Sequence, residues 1–394
     1  MLSVGQSNGG SLPATTGGGR NSGLDVARLM AALMVLVPHC TIVFMAYLGG
    51  TPPVPVLMSA FFGVELFFVL SGFLIGRLLF QIAETDPSPR GWLIFMVRRW
   101  LRTLPLYYLW LLVLPLVLPV PADFSGKLLH YATMTQNLAW PMPKDEWFNA
   151  SWSLTIEEWF YLLFSAALLG AVALTRSSRA IWLVIVAFMV VPAVARMLQP
   201  EPADFVNDMY HTALLRLDAI AYGVALARLQ HQRSRLFRHP WLALAAGVAL
   251  VASFWVQDVR GIWIPMPRMP FLLGQLFGTS VGLCLFLVGM QHVRIRVRPL
   301  LWLVGTGSQM SYGLYIMHLT IIAAVGYYAA LHGHGTAFVI VTSLVLIVAL
   351  PYLSYRFFET PIMALRPRQA RPAAAAGEPR DRVAARPLPH AGTP

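Results

Sequence analysis

Ten apolar stretches, each long enough to cross a lipid bilayer as a helix, dominate the chain. They lie near 24–47, 56–80, 101–120, 152–174, 180–198, 211–229, 240–256, 269–290, 302–331 and 336–357. A bilayer core is ~30 Å thick, so a spanning helix needs about 20 mostly apolar residues. In hydrocarbon every backbone N–H and C=O must find a partner within the protein, and single segments manage this as helices. The predicted fold is all-α: a polytopic integral membrane bundle of about ten transmembrane helices. The ninth stretch exceeds what a bilayer needs and is expected to start inside or under the membrane surface.

Charge supports the same class. Only 12% of the 394 residues are charged and 57% are hydrophobic, whereas soluble domains carry about 25% charged residues. The net charge is +12, but the basic residues fall in short clusters between apolar runs. That is a membrane-topology pattern, and it argues against a nucleic-acid partner, which needs a basic stripe or patch. Fourteen basic residues lie in the loops holding Arg77 to Arg102, Arg176 and Arg179, Arg228 to Arg238, and Arg294 to Arg298. The alternate loops hold five: Lys127, Lys144, Arg196, Arg260 and Arg268. Basic residues mark the cytoplasmic side, so both termini are expected in the cytoplasm. The domain reading is a disordered leader over 1–23, a membrane domain over 24–362 and a disordered Pro/Ala/Arg-rich tail over 363–394. Cys40 and Cys284 both sit inside apolar runs and read as buried thiols; no metal site is expected.

Ionisable groups inside a span are costly, and each is a candidate site residue; the alternative is a polar pair joining two helices. Arg28 and His39 stand eleven positions apart in LDVARLMAALMVLVPHC. That is about three turns, so both point the same way, about 16 Å apart along the axis. Glu65, in FFGVELFFVLSGFLIG, lies at a depth close to that of His39, and a carboxylate there can orient an imidazole. Arg98, Arg99 and Arg102 open the third stretch at i, i+1 and i+4, spaced to share a helix face and suited to phosphate. Simple topology explains most such clusters. In SWSLTIEEWFYLLF, Ser153, Glu157 and Tyr161 make one stripe, which selects Glu157 over Glu158 as the inward-facing acid. Arg216 and Asp218 are too close in sequence to face each other, and each is expected to pair with another helix. Ser311, Tyr315 and His318 share a face of the ninth stretch, with His318 near the depth of His39.

The ordered set resembles the membrane acyltransferase-3 family, polytopic O-acyltransferases that modify bacterial glycans, lipid-linked sugars and some secondary metabolites. The matching pieces are Arg28 with His39, GVELFFVLSGFLI, RRWLR before PLYYL, Asn137 ahead of WSLTIEEWFYLL, RLDAIAYG, SYGLYIMH, and SYRFFETP with Arg356 and Glu359. The resemblance runs from about 24 to 362. Departures are Glu65 where Asp is frequent, Leu104 before PLYYL, and Leu319 and Thr320 after MH.

The resemblance implies a bacterial cytoplasmic (inner) membrane enzyme with no tightly bound cofactor. It uses acetyl-CoA or another acyl-CoA as co-substrate. The acceptor is a hydroxyl of a carbohydrate such as an exopolysaccharide, a lipopolysaccharide or a lipid-linked sugar. It implies His39 as the essential base and Arg99 and Arg102 as donor-side residues. The expected catalytic set is His39, Glu65 and Glu157, with either acid orienting the imidazole. The donor set is Arg28, Arg98, Arg99 and Arg102. Asn137, Trp152, Glu158, Arg216, Asp218, Tyr315 and His318 form an acceptor-side or structural polar group. An acyl-histidine intermediate is the covalent variant. The rival is an exporter of a glycan or lipid intermediate with His39 and Glu65 as a proton relay; it would call for an internal repeat, and none stands out.

Overall fold

A computed structural model describes residues 20–120, 124–141, 147–200, 204, 206–260 and 268–368. Every regular element among them is helical, and nine candidate spans are long and apolar enough to cross a membrane. The helices are α1 (Ser22–Tyr47), α2 (Val54–Thr85), α3 (Pro89–Val117), α4 (Phe124–Ala132), α5 (Ser151–Thr175) and α6 (Ser178–Met197). After them come α7 (Asp218–His231), α8 (Pro240–Arg260), α9 (Arg268–Met290), α10 (Arg298–His332), α11 (Thr336–Ser354) and α12 (Thr360–Ala364). Leu112, Leu116, Leu183, Val191, Leu242, Val341 and Val345 are exposed, as a lipid-facing surface requires.

The expected leader and tail lie mostly outside the described residues, as do 1–19, 369–394 and Lys144. Their described ends are built into the fold. Asn21 caps α1, its Oδ1 accepting from the Gly23 and Leu24 amides at 3.0 and 3.1 Å, and Asp25 favours the first turn of the dipole. At the other end α12 follows a π turn over Tyr355–Glu359.

Two boundaries differ from the hydropathy reading. The third helix starts at Pro89, capped by Ser88, not near 101. A Pro at the first helical position is favoured, and the arginine turn continues the helix because Arg98 and Arg102 find partners near the chain's end. The second difference is the stretch 211–229, which is not one helix. A π turn over Val206–Tyr210 and a 3-10 turn over Ala213–Leu215 precede α7, whose 14 residues reach only about 21 Å. Asn137 accounts for the break. Its carbonyl accepts from the Ala213 amide at 2.8 Å and that of Leu138 from Leu214 at 3.0 Å. Its side chain donates to the carbonyls of Trp152 and His211 at 3.0 and 2.6 Å. Irregular backbone at membrane depth is tolerated where protein supplies its partners.

The pass is still completed. Arg196, in the last turn of α6, holds Asp218 at the start of α7 (2.6 Å), and His231 at its end meets Glu84 at the end of α2 (3.1 Å). Helix α2 forms the centre, touching α1, α5, α7, α8 and α9. It crosses α7 with backbones in contact: a Cβ on Gly72 would lie 1.9 Å from the Ile220 carbonyl oxygen, and one on Gly223 2.0 Å from that of Val69. Small residues permit such approaches between membrane helices.

Contacts sort the loops into two ends. At one, Arg20 reaches the Gly305 carbonyl and Asn21 that of Gln291, both at 2.9 Å, and His231 meets Glu84. At the other, Thr336 donates to the Tyr47 carbonyl at 3.3 Å and Trp255 to that of Pro55 at 3.1 Å. The ends of α2, α7 and α9, which adjoin basic loops, thus lie together with the start of α1.

Candidate active site

Helices α1 and α10 bring two imidazoles together. His39 Nδ1 lies 3.1 Å from His318 Nε2, with ring centroids 5.1 Å apart. His318 Nδ1 sits 3.0 and 2.8 Å from the carbonyl oxygens of Leu314 and Tyr315 on its own helix. A carbonyl only accepts, so these partners assign the His318 proton to Nδ1. With both rings neutral, His318 Nε2 then accepts from His39 Nδ1–H, and His39 carries its lone pair on Nε2. His318 is buried and His39 half-buried.

Both line a cavity of about 420 Å³. Its walls include Trp152, Tyr210 and His211, with Asn149, Asp258 and Gln275 as polar groups. Trp152 stacks on His211 with centroids 4.2 Å apart, and Gln275 donates to Asp258 at 2.6 Å. A second cavity, about 110 Å³, is lined by Arg28, Arg99, Arg102, Ser71, Glu157, Tyr161 and Tyr312. The two share Val64 and Tyr315 as walls. Tyr315 is held there by Ser153, oxygen to oxygen at 2.6 Å. The arginine cavity and the histidine cavity therefore adjoin across one aromatic side chain.

The two acids of α5 take different partners, and both lie within the bundle. Glu157 faces the arginine cavity and accepts from Ser71 at 2.9 Å. Glu158 turns to α3 and accepts from Thr103 at 2.6 Å. His318 is a partner of His39, where the sequence suggests a carboxylate. Glu65 is engaged elsewhere: fully buried, it forms an ion pair with Arg216, whose guanidinium carbon lies 4.9 Å from the Tyr210 ring centroid. A bare carboxylate in a helix core needs a charged partner, and Arg216 supplies it. Arg216 and Asp218 thus pair with different helices, α2 and α6.

Among the arginines, Arg28, Arg99 and Arg102 share the second cavity. Arg98 does not line that cavity and donates to the Pro367 carbonyl at 2.5 Å. Arg356 is exposed, whereas Glu359 is buried and accepts from Ser354 at 3.3 Å. Asn137 and Trp152 brace the broken segment and wall the histidine cavity respectively. Sequence reasoning missed Ser71, Tyr210, His211, Asp258 and Gln275 as lining residues. His211 carried a signal, an ionisable residue opening an apolar stretch. The others are too ordinary in type for spacing to select them.

Comparison with known families gives one match: a family model described as an acyltransferase domain fits residues 21–356. Neither a search of curated proteins nor a search of solved structures returned a match.

Proposed function

The chain belongs to the acyltransferase-3 family and is a polytopic membrane acyltransferase; from that premise we propose that it transfers an acyl group from acyl-CoA to a hydroxyl of a carbohydrate acceptor, with His39 as general base. The observation that carries this reading is the pair of adjoining cavities, one lined by arginines and one by histidines, with Tyr315 common to both. On this reading the arginine-lined end faces the cytoplasm of a bacterial inner membrane, where acyl-CoA is found. Both termini then lie on that side.

The chemistry follows from the residues. Arg28, Arg99 and Arg102 offer guanidinium forks for the donor's phosphates. The pantetheine arm is narrow enough to carry the thioester toward Tyr315. The acceptor hydroxyl enters the larger cavity. Aromatic faces at Trp152 and Tyr210 and planar polar groups at Asn149, Asp258 and Gln275 suit a ring with one apolar face and many hydroxyls. His39 Nε2 takes the hydroxyl proton as the oxygen bonds to the thioester carbonyl carbon. The C–S bond then breaks, and the thiolate recovers the proton from His39. His318 Nε2 accepts from His39 Nδ1–H throughout, holding the tautomer and stabilising the imidazolium. Glu157 lies among the donor arginines, where its charge helps orient them.

Reconstitution tests the proposal. Purified protein in liposomes, given labelled acetyl-CoA inside and an acceptor glycan outside, is expected to release acetylated glycan only when both are present. Movement of unmodified glycan across the bilayer, without acetyl-CoA, would support an exporter instead.

A further inference from the structure

The cluster of arginines on α3 is covered by the last described turn of the chain. Arg98 donates to the Pro367 carbonyl at 2.5 Å, and Arg102 Nη1 lies 3.4 Å from Met363 Sδ. These two contacts bring residue 366 against α3. Arg366 Nε and Nη2 are shut off from solvent and have no hydrogen-bond partner, and Arg99 Nε is in the same condition. Burial, and after it the neighbouring Arg102, Arg99 and Arg98, push the Arg366 guanidinium down to about 10. Like charges have been gathered here.

The hydrogen bonds of the nearby acids go to other groups. Glu157 accepts from Ser71, Glu158 from Thr103 and Glu359 from Ser354, all neutral hydroxyls. Among the described residues, none of Arg98, Arg99, Arg102 and Arg366 is in a salt bridge. An enclosed guanidinium with idle N–H groups calls for an anion that accepts several hydrogen bonds at once, and phosphate has that shape and charge.

We propose that Arg366, carried on the segment after α12, completes a phosphate-binding site with Arg98, Arg99 and Arg102, and that this site holds the nucleotide phosphates of the acyl donor. The proposal rests on acyl-CoA being the donor. The segment 360–368 thereby becomes part of the donor site, packed against the arginine turn of α3. A membrane phospholipid headgroup offers the same chemistry and is the competing source.

The test compares two donors with the same thioester, acetyl-CoA and acetyl-pantetheine, which lacks the nucleotide phosphates. In detergent-purified Arg366→Gln the KM for acetyl-CoA is expected to rise about tenfold or more, the loss of one charge-assisted contact. The kinetics with acetyl-pantetheine should stay within about twofold. Arg366→Lys, which keeps the charge but not the fork, is expected to recover part of the loss and supplies a folded variant should Gln unfold the segment. Equal damage with both donors would make Arg366 a structural strap and overturn the proposal. A loss confined to liposomes containing phosphatidylglycerol, and absent in phosphatidylcholine, would assign the site to lipid and overturn it too. If the wild-type protein turns over neither donor, the donor reading fails on its own. Thermal stabilisation by adenosine 3′,5′-bisphosphate then decides the phosphate site: stabilisation lost in Arg366→Gln supports it, and none in the wild type refutes it.

Discussion

The most informative perturbation is the histidine pair taken apart one ring at a time. His318 Nδ1 is committed to two carbonyls, so its only service to His39 is to accept one hydrogen bond at Nε2, over 3.1 Å. As His39 gains a proton that bond acquires a charged donor, and such bonds contribute about 1.5–3 kcal/mol. At about 1.4 kcal/mol per tenfold, His318→Leu is expected to lower kcat about 10- to 150-fold. His318→Gln retains an accepting oxygen and should recover much of that loss. His39→Gln removes the base itself, and the expected loss is about 10²–10⁴-fold even though glutamine still hydrogen-bonds. The double variant should be no worse than His39→Gln alone, because His318 acts through His39. Initial rates of acyl transfer by the purified variants, with thermal midpoints in parallel, check all four. Near wild-type turnover in His39→Gln would remove that residue from the chemistry. A folded His318→Leu more damaged than His39→Gln would transfer the role of base to His318.

Other outcomes follow from the packing and the charge pattern. Arg99→Lys with Arg102→Lys keeps the charges but loses the bidentate forks, so the KM for acyl-CoA should rise; wild-type kinetics would reduce the cluster to a topology signal. Gly72→Ala places a methyl 1.9 Å from the Ile220 carbonyl oxygen, and forcing α2 from α7 should cost about 1–3 kcal/mol, read as a lower thermal midpoint in detergent. In a cysteine-free background, Lys127→Cys should react with an impermeant thiol reagent in intact cells and Arg235→Cys should not; the reverse labelling would invert the orientation.

The apolar runs made the bundle legible, because lipid leaves an isolated 20-residue segment few alternatives to a helix. Helical spacing also carried the local geometry: Ser153, Glu157 and Tyr161 do line one cavity together. Spacing failed where the partner is distant in sequence. His318 lies 279 positions from His39 and Arg216 lies 151 from Glu65, and depth alone does not select among partners on different helices. It failed again over 206–217, where hydropathy registers apolar side chains but not the backbone bonds that Asn137 and Leu138 supply. The start of α3 was hidden for the opposite reason: three arginines interrupt an apolar run but do not end the helix, which continues through them with Arg98 and Arg102 packed against residues 363–367.

On the proposed reading the site is reached from both faces of a membrane, and such a chamber is also a place where ions can leak. Val64 and Tyr315 line both cavities, and the Tyr315 ring is pinned to Ser153 and edge-on to Phe67 with centroids 5.8 Å apart. On either side of that ring stand groups that handle protons and anions, His39 and Arg28. On that reading electrical insulation is a second demand on this position, separate from turnover. Trimming Tyr315 to admit a bulkier acyl chain would also join the two water-accessible spaces, so the cell's tolerance for proton leakage sets a limit on how wide the substrate range can become.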